Sequence, residues 1–206
     1  MRKFDIKKFV ENKRDGEYRY RENDSTVVIL STVSNYLLET HVINESRKEI
    51  VYSYFMNGKL YTSSQTYCDV PVGITKWYNE YGELVKEQDE DAPYLFSMDD
   101  LRILIKKELK VDILYPESGY YHTISRFDSK QIKNLSFPNT EYYYDVDIMI
   151  NLKGLNGNKH RLIIDATTGE ILSHIDENGN ELVSKYKKDT SMNTQRNWTP
   201  LMDDEV

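Results

Sequence analysis

Most of the chain alternates apolar and polar residues with the two-residue period of a strand, in runs separated by short polar breaks. A charged lead-in, residues 1–14, reads as a short helix or a loose arm. Alternation then begins at EYRYR (17–21) and continues through TVVILSTV (26–33), NYLLETHVI (35–43) and KEIVYSYFM (48–56). Asn57-Gly58 is the strongest hairpin signal, because both positions accept the positive φ that a tight turn requires. KLYTSSQTY (59–67) is the return strand, and Pro71-Val72-Gly73 reads as a loop. In ITKWYNE (74–80), Ile74, Lys76 and Tyr78 share one face and Thr75, Trp77 and Asn79 the other, before Tyr81-Gly82 turns into ELVKEQ (83–88). This half is expected to be a twisted antiparallel meander.

EQDEDAP (87–93) breaks the pattern with Glu87, Asp89, Glu90 and Asp91 ahead of Pro93, and reads as a solvated linker. The period then changes to that of a helix. Met98, Leu101, Leu104, Ile105 and Leu109 form one stripe, with Ser97 and Asp100 placed as a capping box. Asp99 and Asp100 lie at the positive end of this helix, about 98–110, and Lys106, Lys107 and Lys110 at the negative end. Strands resume at GYYHTISRF (119–127), EYYYDVDIMINL (141–152), KHRLIIDA (159–166), EILSHID (170–176) and NELVSKY (180–186), with KGLNGN (153–158) as one of the turns. The expected class is α+β, mostly antiparallel β. Residues 1–92 make the meander, 93–186 a helix on a small antiparallel sheet, and 187–206 a polar tail in which Trp198–Leu201 has the composition to dock on the body. Whether the two halves share one core stays open at this level.

Composition narrows the function. The 206 residues carry a net charge of −7, and the basic clusters (Arg2, Lys3, Lys7 and Lys8; Lys106, Lys107 and Lys110; Lys185, Lys187 and Lys188) are short, so nucleic acid is not the expected partner. An acidic surface favours a basic one. No apolar run approaches the roughly 20 residues of a membrane span, and the charged N-terminus lacks the apolar core of a signal peptide. The expected location is the cytoplasm, which suits a chain with the single cysteine Cys68. Tyrosine is abundant, at 17 residues, and Tyr and Trp are favoured interface anchors; Tyr52, Tyr54, Tyr61, Trp77 and Tyr78 are expected on an open sheet face.

YFMNGKL (54–60) and YNEYGEL (78–84) nearly repeat one another. Tyr54, Asn57, Gly58 and Leu60, then Tyr78, Gly82 and Leu84, with Gly73 and Trp77 leading into the second unit, resemble MORN-variant repeats of a family of toxin–antitoxin antitoxins. GEYRYREND (16–24) resembles a degenerate third unit. The resemblance covers roughly residues 16–88 and implies a β-meander that binds a protein toxin. In the second half, Ile164, Asp165, Thr168, Gly169, Glu170 and Ile171 resemble the closing hairpin of a PepSY module, a helix followed by a small antiparallel sheet. PepSY modules are usually extracytoplasmic and associated with protease inhibition. Without an export signal here, the resemblance implies a shared small fold rather than a shared activity.

The chemistry-bearing residues do not assemble in sequence. His41, His122, His160 and His174 form no paired-ligand spacing; His41, His122 and His174 are expected to be surface or half-buried strand residues. Cys68 has no activating neighbour and reads as an inert thiol. Asp145 and Asp147 share a strand face, which suits either a paired-carboxylate site or a solvated surface. Asp165 is expected to cap the Thr-Thr-Gly turn. No catalytic residue, cofactor or metal is assigned. The function expected from these features is a bacterial immunity or antitoxin protein that binds a basic cognate toxin without enzymatic activity, with contacts through Trp77, Tyr78, Glu87, Asp89, Glu90, Asp91, Asp145 and Asp147. The alternatives are a scaffold module with no toxin partner and a hydrolase built on Asp145 and Asp147.

Overall fold

A computed structural model describes residues 2–115, 120–129, 140–150, 158–176 and 178–184. The turn expected at 153–158 falls almost wholly outside these residues, and so do Lys185, the tail 187–206 and its Trp198–Leu201 segment. The chain begins with a short helix, α1 (Ile6–Asn12), followed by seven strands: β1 (Tyr18–Asn23), β2 (Thr26–Val33), β3 (Tyr36–Ile43), β4 (Lys48–Phe55), β5 (Leu60–Tyr67), β6 (Val70–Tyr78) and β7 (Leu84–Asp89). They pair in chain order as one antiparallel sheet. A second helix, α2 (Met98–Leu109), leads to β8 (Tyr120–Asp128), β9 (Tyr142–Ile150), β10 (Asn158–Asp165), β11 (Ile171–Ile175) and β12 (Glu181–Ser184), a second sheet also paired in chain order. The class is α+β, mostly antiparallel β.

Turn chemistry explains both the successes and the failures of the sequence reading. The hairpins at 55–59, 79–83 and 176–180 share one geometry: the residue before the loop donates to the residue after it, and the glycine donates back. Gly58, Gly82 and Gly179 supply the positive φ (80°, 87° and 80°) that closes each loop. The near-repeat in the sequence is therefore two copies of one corner. The expected loop at Pro71-Val72-Gly73 is instead part of β6; the turn lies at Cys68-Asp69, where both residues take positive φ (53° and 67°) without a glycine. Pro71 fits the strand opposite Thr66, and the ladder is irregular between Ser63 and Gln65. The expected linker also needs correction. Glu87–Asp89 are strand, paired with Ile74–Lys76, and Asp91 is anchored by two strong contacts described below.

Of the three buried clusters among the described residues, one (Tyr143, Ile163 and Leu172) belongs to the second sheet, and the other two lie on one face of the large sheet. Near its first strands, Phe4 and Phe9 from the N-terminal segment cover Val28, Leu30, Leu37, Tyr54 and Leu60. The lead-in is thus docked; Phe4 donates its N–H to Gly58 O at 3.0 Å. At the other end of the same face, Tyr67, Val70 and Val72 join Leu101 and Ile105 of α2 and Val146, Ile148, Leu162 and Ile164 of the second sheet in a single core. Helix α2 has the expected capping box and buries Met98, Leu101 and Ile105; each such side chain contributes about 2 kcal/mol.

Candidate partner-binding surface

Sheet pairing splits the expected aromatic face in two. Tyr52, Tyr54 and Tyr78 point to the face that the N-terminal segment packs against, and Tyr54 is fully buried. Its hydroxyl donates to Glu39 Oε2 at 2.6 Å, while Arg2 and His41 meet Glu39 Oε1 at 2.5 and 2.7 Å. Burial alone would raise the Glu39 carboxyl, but the hydrogen bonds from Arg2, Tyr54 and His41 hold it below its ordinary value. This network pins Arg2 over Tyr52, 4.1 Å from the ring centre. Tyr61 and Trp77 lie on the opposite face. There Tyr61 stacks on Tyr36 with ring centres 4.9 Å apart and meets Phe55 at 5.0 Å. Val27, Ile29, Leu38, Val42, Val51 and Trp77 on that face are only half-buried, so no described element covers it.

The hairpin β6–β7 ends this sheet. Every residue of β7 is exposed, and Ile74, Tyr81, Leu84 and Val85 are exposed apolar side chains on the same hairpin, Tyr81 at 85%. Trp77 lies on the opposite face of this hairpin from Ile74 and Leu84, with Lys86 Nζ 4.3 Å from its ring centre. Glu87 reaches Lys76 only at 3.9 Å, and both are partly exposed, so this pair neutralises little. Glu87 and Asp89 thus remain an acidic surface next to apolar side chains. The sequence carries a local signal for this patch: Leu84-Val85 places two apolar residues together in an otherwise polar strand, breaking the alternation.

The other acidic candidates are already engaged. Asp91 accepts the Gly73 N–H at 2.7 Å and Arg126 Nη2 at 2.8 Å. Arg126 is almost wholly buried, its guanidinium 4.5 Å from the Tyr94 ring centre and donating to the carbonyls of Pro71 and Glu90. Glu90 accepts from Gln88 Nε2 at 2.9 Å. On the second sheet Asp145 takes both Nε and Nη2 of Arg161, at 3.1 and 2.5 Å, and Asp147 pairs with Lys159 at 3.0 Å. Asp145 is thus held by both its oxygens, whereas Asp147 is engaged through Oδ2 alone and its buried Oδ1 accepts no hydrogen bond among the described residues.

Of the remaining reactive groups, His122 and Cys68 serve the seam between the sheets, while His41 belongs to the Glu39 network. His41 and His122 are buried, at 7% and 2% exposure, rather than at the surface or half-buried as expected, because both project to packed faces. Arg47 donates to His122 Nε2 at 2.8 Å and pairs with Asp69. Burial, together with Arg47, pushes His122 down to about 4. Cys68 donates to Ile113 O at 3.2 Å, and burial pushes its thiol up to about 12, so it is not a nucleophile at neutral pH. A cleft of about 440 Å³ at this seam is lined by Asp69, Val70, Pro71, Glu90, Tyr94, Ile124 and Arg126; Asp69 pairs with Arg47, Arg126 with Asp91, and Glu90 accepts from Gln88. His160 and His174 meet at 3.2 Å, but among the described residues no three His, Cys, Asp or Glu side chains could hold a metal ion. Asp165 caps its turn as expected, accepting the N–H groups of Thr167 and Thr168 at 2.8 and 2.9 Å. Among the described residues no helix is long and apolar enough to cross a membrane.

No family model, curated protein or solved structure matches the chain. The MORN-variant and PepSY resemblances rest on the residues that carry them.

Proposed function

We propose that this chain is a bacterial immunity or antitoxin protein that acts in the cytoplasm by binding a basic cognate toxin, with no chemistry of its own. The observation that supports this reading most directly is the β6–β7 hairpin. It concentrates exposed apolar side chains (Ile74, Tyr81, Leu84 and Val85) and two exposed carboxylates, Glu87 and Asp89, at the open end of a sheet, with the half-buried Trp77 on the hairpin's other face. Apolar anchors beside charges of one sign are what a specific interface with an oppositely charged protein requires: burial of the anchors supplies affinity, and the field speeds encounter. The resemblance of residues 54–60 and 78–84 to antitoxin repeats points the same way. Of the eight contact residues expected from sequence, Trp77, Glu87 and Asp89 stay in the proposed surface. Tyr78, Asp91, Asp145 and Asp147 are occupied by internal packing or ion pairs, and Glu90 sits at the margin. Co-expression with the product of the adjacent gene tests the reading. Rescue of growth together with co-purification of a complex is expected; absence of both would overturn it.

A further inference from the structure

Among the described residues strand β7 is an edge with no strand paired along its outer side, and the ladder geometry shows which groups are available. Glu90 donates its N–H inward to Gly73 O at 2.8 Å, and Gln88 lies opposite Thr75. In an antiparallel ladder inward and outward backbone groups alternate, so Gln88 and Lys86 also point inward. The N–H and C=O groups of Glu87 and Asp89 therefore point outward; Val85 is the extra residue of a bulge, since Trp77 lies opposite Lys86 and Tyr78 opposite Leu84. Natural sheets guard such edges with proline, charged side chains, β-bulges or a covering element. Here Leu84–Asp89 contains no proline, its bulge lies at Val85 ahead of Glu87–Asp89, all six residues are exposed, and the one lysine, Lys86, is drawn over Trp77 and to Gln88 Oε1 at 2.9 Å.

We propose, on the basis of the toxin-binding reading above, that the partner engages by adding an extended strand to β7, with basic side chains at two positions spaced i, i+2 that lie opposite Glu87 and Asp89. Residues directly opposite in an antiparallel pair share a face and lie within about 5 Å, so alternate basic residues meet both carboxylates at once. The occupant is not a second copy of this chain. Two-fold pairing of β7 with itself joins residues whose numbers sum to an even value, because each position must keep its face. Centring on Glu87 places Glu87 against Glu87; centring on Gln88 places Glu87 against Asp89; centring on Lys86 places Asp89 against Glu83. Every one of these registers opposes like charges.

The test uses the full chain and the synthetic peptide Thr-Lys-Val-Arg-Val-Thr, with Thr-Glu-Val-Glu-Val-Thr as its acidic counterpart, titrated by amide NMR at low salt. The basic peptide should shift the amides of Glu87 and Asp89 and bind at least tenfold tighter than the acidic one. Glu87→Pro removes one outward N–H while leaving the inward ladder to β6 intact, and should abolish binding with little change in melting temperature. The pair Glu87→Lys, Asp89→Lys should reverse the peptide preference. Failure of the basic peptide to shift these amides, equal binding of both peptides, or binding that survives Glu87→Pro would overturn the proposal. So would a β7-dependent homodimer in sedimentation. The two readings separate in the co-expression assay: rescue that persists with Glu87→Pro leaves toxin binding standing and removes strand addition as its mode, whereas a wild-type chain that forms no complex removes the toxin reading itself.

Discussion

Replacing Gly169 by alanine separates two physical effects that are usually confounded. Gly169 closes the turn that follows Asp165 with φ at 74°, and an alanine Cβ there would fall inside contact distance of the Phe96 ring, with Cδ2 and Cζ only 2.6 Å away. Phe96 cannot step aside easily: its N–H donates to Ala166 O at 2.8 Å, and its carbonyl accepts the Tyr144 hydroxyl at 2.6 Å. Gly179 has nearly the same conformation, φ at 80°, with nothing within 4 Å of its Cβ position. Gly179→Ala should therefore cost only the left-handed penalty, about 1 kcal/mol. Gly169→Ala should add an overpacking cost of about 2 kcal/mol, for a total near 3. In a chain of 206 residues that corresponds to roughly 10 °C in melting temperature. Denaturant unfolding of both variants measures the difference. Phe96→Ala in the Gly169→Ala background should return most of the steric part as a coupling energy of about 1–2 kcal/mol. Equal costs at the two glycines, or no coupling to Phe96, would refute the close-approach argument.

Asp91→Ala should cost about 3 kcal/mol, because it strands the buried Arg126 guanidinium without its counter-charge, whereas Asp89→Ala on the exposed strand should stay within about 0.5 kcal/mol; thermal unfolding compares them. His122, held down to about 4 by burial and Arg47, should make stability fall as pH drops from about 6.5 to 4, since the unfolded chain then binds a proton that the folded chain refuses. The loss is about 3 kcal/mol at most, and His122→Gln should flatten that limb of the pH–stability curve. Below about pH 4, protonation of Glu39 and Asp165, both held low in the folded state, should continue the decline in the same titration. Trp77→Ala should weaken the toxin complex at least tenfold in a direct binding assay. Tyr78→Ala, which removes a ring packed under the N-terminal segment, should instead lower the melting temperature.

The elements were legible because their signals are local. TVVILSTV matches β2 to the residue, and the Ser97 and Asp100 capping box gave α2 its start. The misreadings arose where local and tertiary chemistry compete. Pro71 and Gly73 look like loop residues, but the reversal is made by Cys68-Asp69, whose cost in left-handed backbone is offset by burial of Cys68 against Ile113. The acidic run at 87–91 looks like a linker, but no local pattern announces that Arg126, some 35 residues later, will neutralise Asp91 and draw the end of the run into the seam. Likewise a charged N-terminus gives no hint that Arg2 will meet Glu39, 37 positions away.

The same distinction decides how much of the candidate surface could be read in advance. Charge and aromatic content nominated eight residues, but composition does not say whether a carboxylate has a cation beside it. Asp145 and Asp147 alternate on β9 as Glu87 and Asp89 do on β7, yet β9 is an interior strand with Arg161 and Lys159 next to it on β10, while β7 has a neighbour on one side only. Strand order, which follows from the meander, is therefore the deciding variable: the acidic pair inside the second sheet acquires close cations from the next strand, whereas at the edge Glu87 has only Lys76 at 3.9 Å and Asp89 only the Asp91 N–H. That is why the terminal strand of the first sheet, rather than the richer cluster of charges at the seam, carries the functional reading.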